Sequence, residues 1–296
     1  MPRRNALKEW SAAAPFLAPN FLGFLLFTLM PVGVSMVLSF YQYDNITPAK
    51  FVGTANYHRL IVDPKFWASL ANTLIMMLGL PLTMFGALLL ALALNSKVYG
   101  RIALRTIYYL PSISPLIAVA VVWMWIYNAD QGIFNSALAR IGIRGPNWLG
   151  DISWAKPAFI FMGIWSGIGG FTMLLYLAAL QDIPRSYYEA AHLDGAGAWQ
   201  RFWYITWPLL GPVNFFIIVM GIIGGFQAFD WQYVMTGGGP AGSTTTIGLY
   251  IYNNAFSYSK MGYASAVAWV LFIIIFALTL LQWRMRQRFG GAAQYE

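Results

Sequence analysis

Apolar and polar positions fall along this chain in long blocks, without the alternation of an amphipathic helix or strand. Crossing about 30 Å of hydrocarbon takes about 20 apolar residues. Six stretches of that order carry no Asp, Glu, Lys, Arg or His: Phe16 to Phe40, Leu70 to Leu94, Ile107 to Asn128, Pro157 to Leu180, Trp207 to Phe229 and Tyr263 to Trp283. An unpaired backbone amide in lipid is costly, so each stretch is predicted to be helical. The pattern predicts an all-α, polytopic membrane protein with six transmembrane helices, organised as a single domain over residues 1–296. The first stretch is too long for a secretory signal, carries Pro19 and Pro31 and lacks a small-residue cleavage pattern, so it reads as a retained span.

Composition narrows the function classes. Hydrophobic residues make up 59% of the chain and charged residues 9%, with a mean hydropathy of +0.58, which excludes an ordinary soluble enzyme, a disordered chain and a free nucleic-acid binder. A formal charge of +8 on so apolar a chain fits basic loops beside an anionic leaflet, so membrane lipid is an expected partner and nucleic acid is not. The absence of cysteine removes disulfides, thiolate metal sites and Cys nucleophiles. Of the 18 basic residues, Arg3, Arg4, Lys8, Lys97, Arg101, Arg105, Arg185, Arg201, Arg284, Arg286 and Arg288 lie in the two tails and the second and fourth loops. The remaining loops are longer and hold fewer, so both termini and the fourth loop are predicted to be cytoplasmic.

The fourth loop, residues 181–206, is the most informative segment. Ser186 followed by Glu189 has the spacing of a capping box, and Gly195 is a natural helix stop, predicting a short helix from Tyr187 to Asp194. A second should run from Ala198 towards Pro208 with Phe202, Trp203 and Ile205 on its apolar side. Two short helices presenting Ala190 and Ala191 make a knob suited to a groove on another protein, or a segment lying on the membrane surface.

Glu189-Ala190-Ala191, Gly195, Ile205 and Pro208 resemble, in spacing, the EAA loop of permease subunits in binding-protein-dependent ABC importers. The chain departs from that pattern at Trp207, where leucine is usual. Phe51-Val52-Gly53, Asn56-Tyr57, Asn72-Thr73, Tyr109-Leu110-Pro111 and Met235 to Pro240 resemble the carbohydrate-uptake branch. Residues 250–266 are similar to the first permease subunit of the maltose and glycerol-phosphate type.

The resemblance implies a subunit of a sugar importer in the bacterial cytoplasmic membrane. Its implied partners are two cytoplasmic ATPase subunits, a second and usually different permease, and an extracytoplasmic sugar-binding protein. It further implies that Glu189, Ala190, Ala191, Asp194 and Gly195 couple the spans to the ATPase; a capping role for Glu189 and a stop at Gly195 are compatible with this. No lysine follows a glycine, so the Gly-Lys core of a P-loop is absent, and ATP with its Mg is expected on the partner, with no cofactor held by this chain. His58 and His192 fall on opposite predicted sides, and no metal site is expected.

A neutral sugar offers hydroxyls and apolar ring faces, so its path should pair Trp or Tyr with polar groups. Gln227, Asp230, Trp231 and Tyr233, at the outer end of the fifth span, fit that description. Asp230 reads equally well as an interfacial carboxylate facing water. Trp165 is a candidate stacking platform or a member of the interfacial aromatic belt, and Gly169 and Gly170 add small residues beside it. Two rival functions stay open on the residues alone. A secondary transporter or channel working without an ATPase would need intramembrane ionisable groups or an internal duplication, and a membrane enzyme would need convergent His and carboxylates.

Overall fold

In a computed structural model, residues 2–96 and 99–290 are described; Lys97, counted above among the basic loop residues, lies outside them. The apolar blocks fold as helices because a helix satisfies every backbone amide within one segment. Five helical segments are long and apolar enough to cross a membrane: Ala13–Leu38, Pro64–Asn95, Ile152–Asp182, Gly211–Thr236 and Met261–Gln287. A sixth candidate is a pair of helices bent by 95°. The chain divides into two compact units, residues 1–63 with 251–272 and residues 64–250 with 273–296.

In the first unit, α1 (Pro2–Phe24) continues through a π turn (Leu25–Leu29) into α2 (Met30–Leu38). The turn precedes Pro31, and the Met30 amide bonds back to the Leu25 carbonyl, one residue further than in an α-helix. A two-residue antiparallel pairing follows, β1 (Tyr41–Gln42) with β2 (Lys50–Phe51), Tyr41 opposite Phe51. The Phe51-to-Tyr57 motif has a structural job here. Gly53 takes φ +56°, and α3 (Ala55–Ile61) begins so that the Asn56 amide donates to the carbonyls of Ser39 and Tyr41 at 2.9 and 3.0 Å. The Tyr57 hydroxyl donates to Ser39 Oγ at 2.7 Å. Tyr263 donates to the Asp63 carboxylate at 2.8 Å, with the Arg59 guanidinium 4.9 Å from its ring centre.

In the second unit, α4 (Pro64–Met77) and α5 (Gly79–Asn95) lead to α6 (Arg101–Ile113), α7 (Leu116–Ile126) and α8 (Ile133–Arg140). The Asp151 carboxylate accepts from the Ser153 amide at 2.7 Å and starts α9 (Ile152–Ile168), which a break at Gly169-Gly170 separates from α10 (Phe171–Asp182). Ala87, Leu88, Ala91 and Leu94 of α5 form the core with Met173, Tyr176, Leu177 and Leu180 of α10. Gly169 is required by close approach: a Cβ there would fall on the Tyr108 carbonyl of α6.

The single span expected over Ile107 to Asn128 forms as two helices that meet at a break before Pro115. Pro115 disfavours helical angles at the residue before it, Ser114 takes φ −72° and ψ 144°, and α6 ends. Ser112 and Ser114 hydroxyls donate back to the carbonyls of Tyr109 and Leu110 at 2.7 and 3.0 Å, the back-bonding that bends helices. The fifth span forms as α14 (Gly211–Gln227) and ends near Phe229 as expected, but helix resumes beyond it in α15 (Asp230–Thr236), with Ala228 extended between them. Next, Gly237 and Gly238 take φ +59° and +92° in a turn that reads as flexible from sequence. Hydroxyls pin it: Thr244 bonds Thr236 Oγ1 and the Gly239 carbonyl, each at 2.7 Å. Asn72 donates to the carbonyls of Gly242 and Thr245, and Thr73 Oγ1 accepts from the Ile247 amide at 2.9 Å, which gives the Asn72-Thr73 motif its role. The chain closes with α16 (Ile247–Tyr252), a π turn (Asn253–Ser257) and α17 (Met261–Gly290).

Candidate functional site

Two places in the second unit carry the candidate residues. The first is the helical pair after α10. Pro184, extended at φ −60° and ψ 134°, stands at the N-cap of α11 (Arg185–Leu193). The expected Ser186–Glu189 capping box does not form, because a helix beginning at Arg185 places Ser186 inside its first turn. The C-terminal expectation holds. Gly195 takes φ +75°, the Ala196 amide bonds the Ala191 carbonyl at 2.8 Å and the Gly195 amide bonds His192 at 3.1 Å, the paired bonds of a Schellman stop.

α12 (Ala198–Arg201) opens with the Gly197 amide donating to Gln200 Oε1 at 2.8 Å. It runs through a π turn (Phe202–Thr206) and α13 (Trp207–Leu209) into α14. Pro208 has no amide to give and its ring would strike the carbonyl four residues back; the widened turn accommodates it, the Trp207 amide bonding Phe202. Trp199, Trp203 and Trp207 form an edge-to-face row with centroids 5.7 and 5.9 Å apart. Phe202 and Ile205 pack on the core as expected, whereas Trp203 is exposed.

Glu189, Ala190, Asp194 and Gly195 are exposed and Ala191 is half-buried. Sequence reasoning missed Leu193, which is 89% exposed, and Tyr187 on the same short helix. The signal available was an apolar residue beside Asp194 at the end of a polar helix, where exposed apolar surface asks for a partner. Also missed was Tyr188, which turns inward against the core and bonds Thr206.

The second place is a pair of cavities. One, of about 580 Å³, lies at the bend between α6 and α7 and is walled by Leu110, Ser114, Trp123, Phe134, Phe161 and Trp165. Trp165 is 49% exposed and stands edge-on to Trp123 with centroids 5.4 Å apart. The other, of about 270 Å³, is bordered by Met76, Phe159, Gly163, Gly225, Trp231, Gln232 and Thr246. Trp231 Nε1 is buried there without a hydrogen-bond partner. Gln232 reaches Met76 Sδ at 3.5 Å, and Thr246 donates to the Ala228 carbonyl at 2.6 Å. The four residues expected to share one polar cluster are therefore distributed: Trp231 borders the smaller cavity, while Gln227, Asp230 and Tyr233 are exposed and border neither. Gly169 and Gly170 are buried against α6, close to Tyr108 and Ser112. Gln232 and Thr246 were not foreseen; Gln232 sits within the Asp230–Tyr233 segment and was legible there. Among the described residues, no three His, Asp or Glu side chains converge as a metal site.

The chain is similar to known proteins along most of its length. Residues 79–290 match the family described as the binding-protein-dependent transport system inner membrane component. A probable ABC transporter permease protein, YesP of Bacillus subtilis (strain 168), is 40% identical over 284 residues, covering 94% of this chain and 91% of its own length. The lactose transport system permease protein LacF of Rhizobium radiobacter is 40% identical over 274 residues, covering 90% and 91%. The crystal structure of a bacterial alginate ABC transporter in complex with its alginate pentasaccharide-bound periplasmic protein contains a chain that superposes with a TM-score of 0.84 at 26% identity, covering 97% of each chain. With that match over most of the chain and relatives of this identity along nearly all of it, the chain belongs to the family of inner membrane components of binding-protein-dependent transport systems.

Proposed function

We propose that this permease carries a sugar or sugar derivative across the bacterial cytoplasmic membrane, with residues 1–296 acting as one transmembrane domain and both termini in the cytoplasm. ATP, with Mg, is hydrolysed on two partner ATPase subunits, and this chain holds no cofactor. A second permease completes the pathway and an extracytoplasmic binding protein delivers the sugar. The sugar class is supported by LacF, a lactose transport permease, and by the alginate transporter, each similar along nearly the whole chain.

The observation that carries the coupling assignment is α11. Glu189, Ala190, Asp194 and Gly195 lie exposed beside Leu193, an apolar side chain in water on a helix with a fixed left-handed stop. Burying Leu193 and Tyr187 in a groove of the ATPase stabilises docking, and the small side chains at Ala190 and Ala191 let the groove wall approach. In the pathway, Trp165 offers an apolar ring face to a sugar in the larger cavity, and the Trp231 N–H offers an unsatisfied donor in the smaller. Gln227, Asp230 and Tyr233 would meet the sugar at the outer mouth, while Gly169 and Gly170 let the α9–α10 break pack closely on α6 along the pathway.

Purification of the chain from its native membrane in mild detergent, with mass spectrometry, tests the assembly. Recovery of an ATPase and a second permease is expected, and reconstituted proteoliposomes should take up one of lactose, maltose or trehalose only with MgATP. Gly195→Asp should insert normally and lose uptake. Recovery of the chain alone with gradient-driven flux would replace this function with that of a secondary transporter.

A further inference from the structure

Thr206 is the last residue of the π turn that leads into α14, and it is 5% exposed. Its hydroxyl shares a hydrogen bond of 2.9 Å with the Tyr188 hydroxyl, which comes from α11 eighteen residues earlier. Thr206 Oγ1 also reaches the Arg201 carbonyl, its donor direction, at 3.4 Å. A threonine hydroxyl has one proton, so when Thr206 donates to Arg201 the bond from Tyr188 is donated by the tyrosine. The polar chain then runs Tyr188 O–H to Thr206 O–H to Arg201 carbonyl, crossing from α11 to the end of the π turn and back to the end of α12. Tyr188 and Phe202 also pack on the same core as Leu180 and Leu210. Among the described residues, the Tyr188–Thr206 bond is the side-chain hydrogen bond that joins α11 to the π turn.

We infer that Tyr188 and Thr206 are positioning residues that lock α11 to the π turn, so that the two move as one body and displacement of α11 reaches α14. This rests on the coupling role proposed for α11. Both groups act through the helices they join, and neither touches nucleotide or sugar. A hydroxyl pair suits this work because it is short, directional and largely shielded from water, where a hydrogen bond is electrostatically stronger than at the surface. The π turn is the place to lock, because its widened backbone is the soft point between α12 and α14.

The chain has no cysteine, so Ser186→Cys on α11 and Tyr204→Cys on the π turn, both exposed, give two unique nitroxide sites before the chain is reassembled into its complex. Distances between them are read without nucleotide, with MgATP and with MgATP and vanadate. The native pair and Thr206→Ser should give one narrow distance in all three states. Tyr188→Phe and Thr206→Val should broaden it and let it shift with nucleotide, while uptake per ATP hydrolysed falls about fivefold, the factor that one net buried hydrogen bond carries. Valine keeps the volume and loses the hydroxyl, whereas serine does the reverse. Better function in Thr206→Val than in Thr206→Ser would make the contact one of packing and overturn the lock. A narrow, nucleotide-independent distance in both Tyr188→Phe and Thr206→Val would overturn it as well. A native chain that binds no ATPase would sink the coupling role itself, while the nucleotide-free distances would still report whether the two helices are locked.

Discussion

At Pro115 the residue before the proline leaves the helical region and α6 meets α7 at 95°. At Pro208 the residue before the proline, Trp207, keeps φ −62° and ψ −45°, and the helix passes on through a π turn. Pro31 repeats the second solution, with a five-residue π turn ending two residues before it. The pyrrolidine ring is the same in all three, so the neighbours decide. Just before the break, the Ser112 and Ser114 hydroxyls bond back to the carbonyls three and four residues earlier, a pattern that bends helices. Beside Pro208 the Thr206 hydroxyl reaches the Arg201 carbonyl only at 3.4 Å, and at Met30 and Trp207 the chain keeps its carbonyls bonded by lengthening the turn. One bend opens a cavity of about 580 Å³ beside Trp165, and the other keeps a rigid path from α11 into α14.

This contrast can be broken from either side. The largest effect is expected at Gly169→Ala, where the added methyl meets the Tyr108 backbone on the bent side; thermal unfolding in detergent should show a loss of about 3 kcal/mol, the upper end for overpacking. An unchanged midpoint would mean that α6 gives way. Pro208→Ala restores a donor for the Tyr204 carbonyl, so the π turn should close and the Tyr188–Thr206 bond part, costing about 1 kcal/mol. Hydrogen exchange over residues 202–206 reads that change, and unaltered protection would show the π turn to be set by packing. Pro115→Ala should change stability less and shape more: nitroxides at Ile102 and Val122 should separate towards ~30 Å, the length of a straight helix of that span. An unchanged distance would assign the bend to packing against α9 and α15.

The smallest effect serves as the control away from interrupted helices. The Thr47 and Ile46 amides and the Thr47 hydroxyl, bonding the exposed Asp44 carboxylate, hold its pKa below the ordinary 3.8. A lowered folded value contributes stability above the unfolded pKa and loses it as pH falls through the folded one. Asp44→Ala should therefore slightly loosen the 44–47 turn at neutral pH, with the difference from the native chain fading as pH falls from 3.8 through the lower folded pKa, which carboxyl titration of the native chain by NMR would check.

The spans were legible because composition alone dictates them: each uncharged stretch became helix, with ends moved by local caps such as Asp151, which carries α9 five residues ahead of Pro157. The break at Pro115 was legible only as a proline, because its outcome depends on hydroxyls that meet carbonyls in three dimensions. At the candidate site, Gly195 showed its role in sequence since only a left-handed stop needs glycine there. The Ser186–Glu189 spacing misled, because Pro184 claims the N-cap first. Tyr188 with Thr206 and Trp231 with Thr246 were out of reach, because helix packing, which one sequence does not state, brings each pair together.

The π turn over Phe202–Thr206 makes chain length itself a carrier of information. Removing one residue from it would restore a continuous α-helix and turn everything beyond Pro208 by about 100° relative to α12. Natural variation in this segment should therefore replace residues freely at Tyr204, which is 80% exposed, yet admit almost no insertions or deletions. An alignment of related permeases would then show a gap-free block whose fixed count of residues outlasts the identity of most of them.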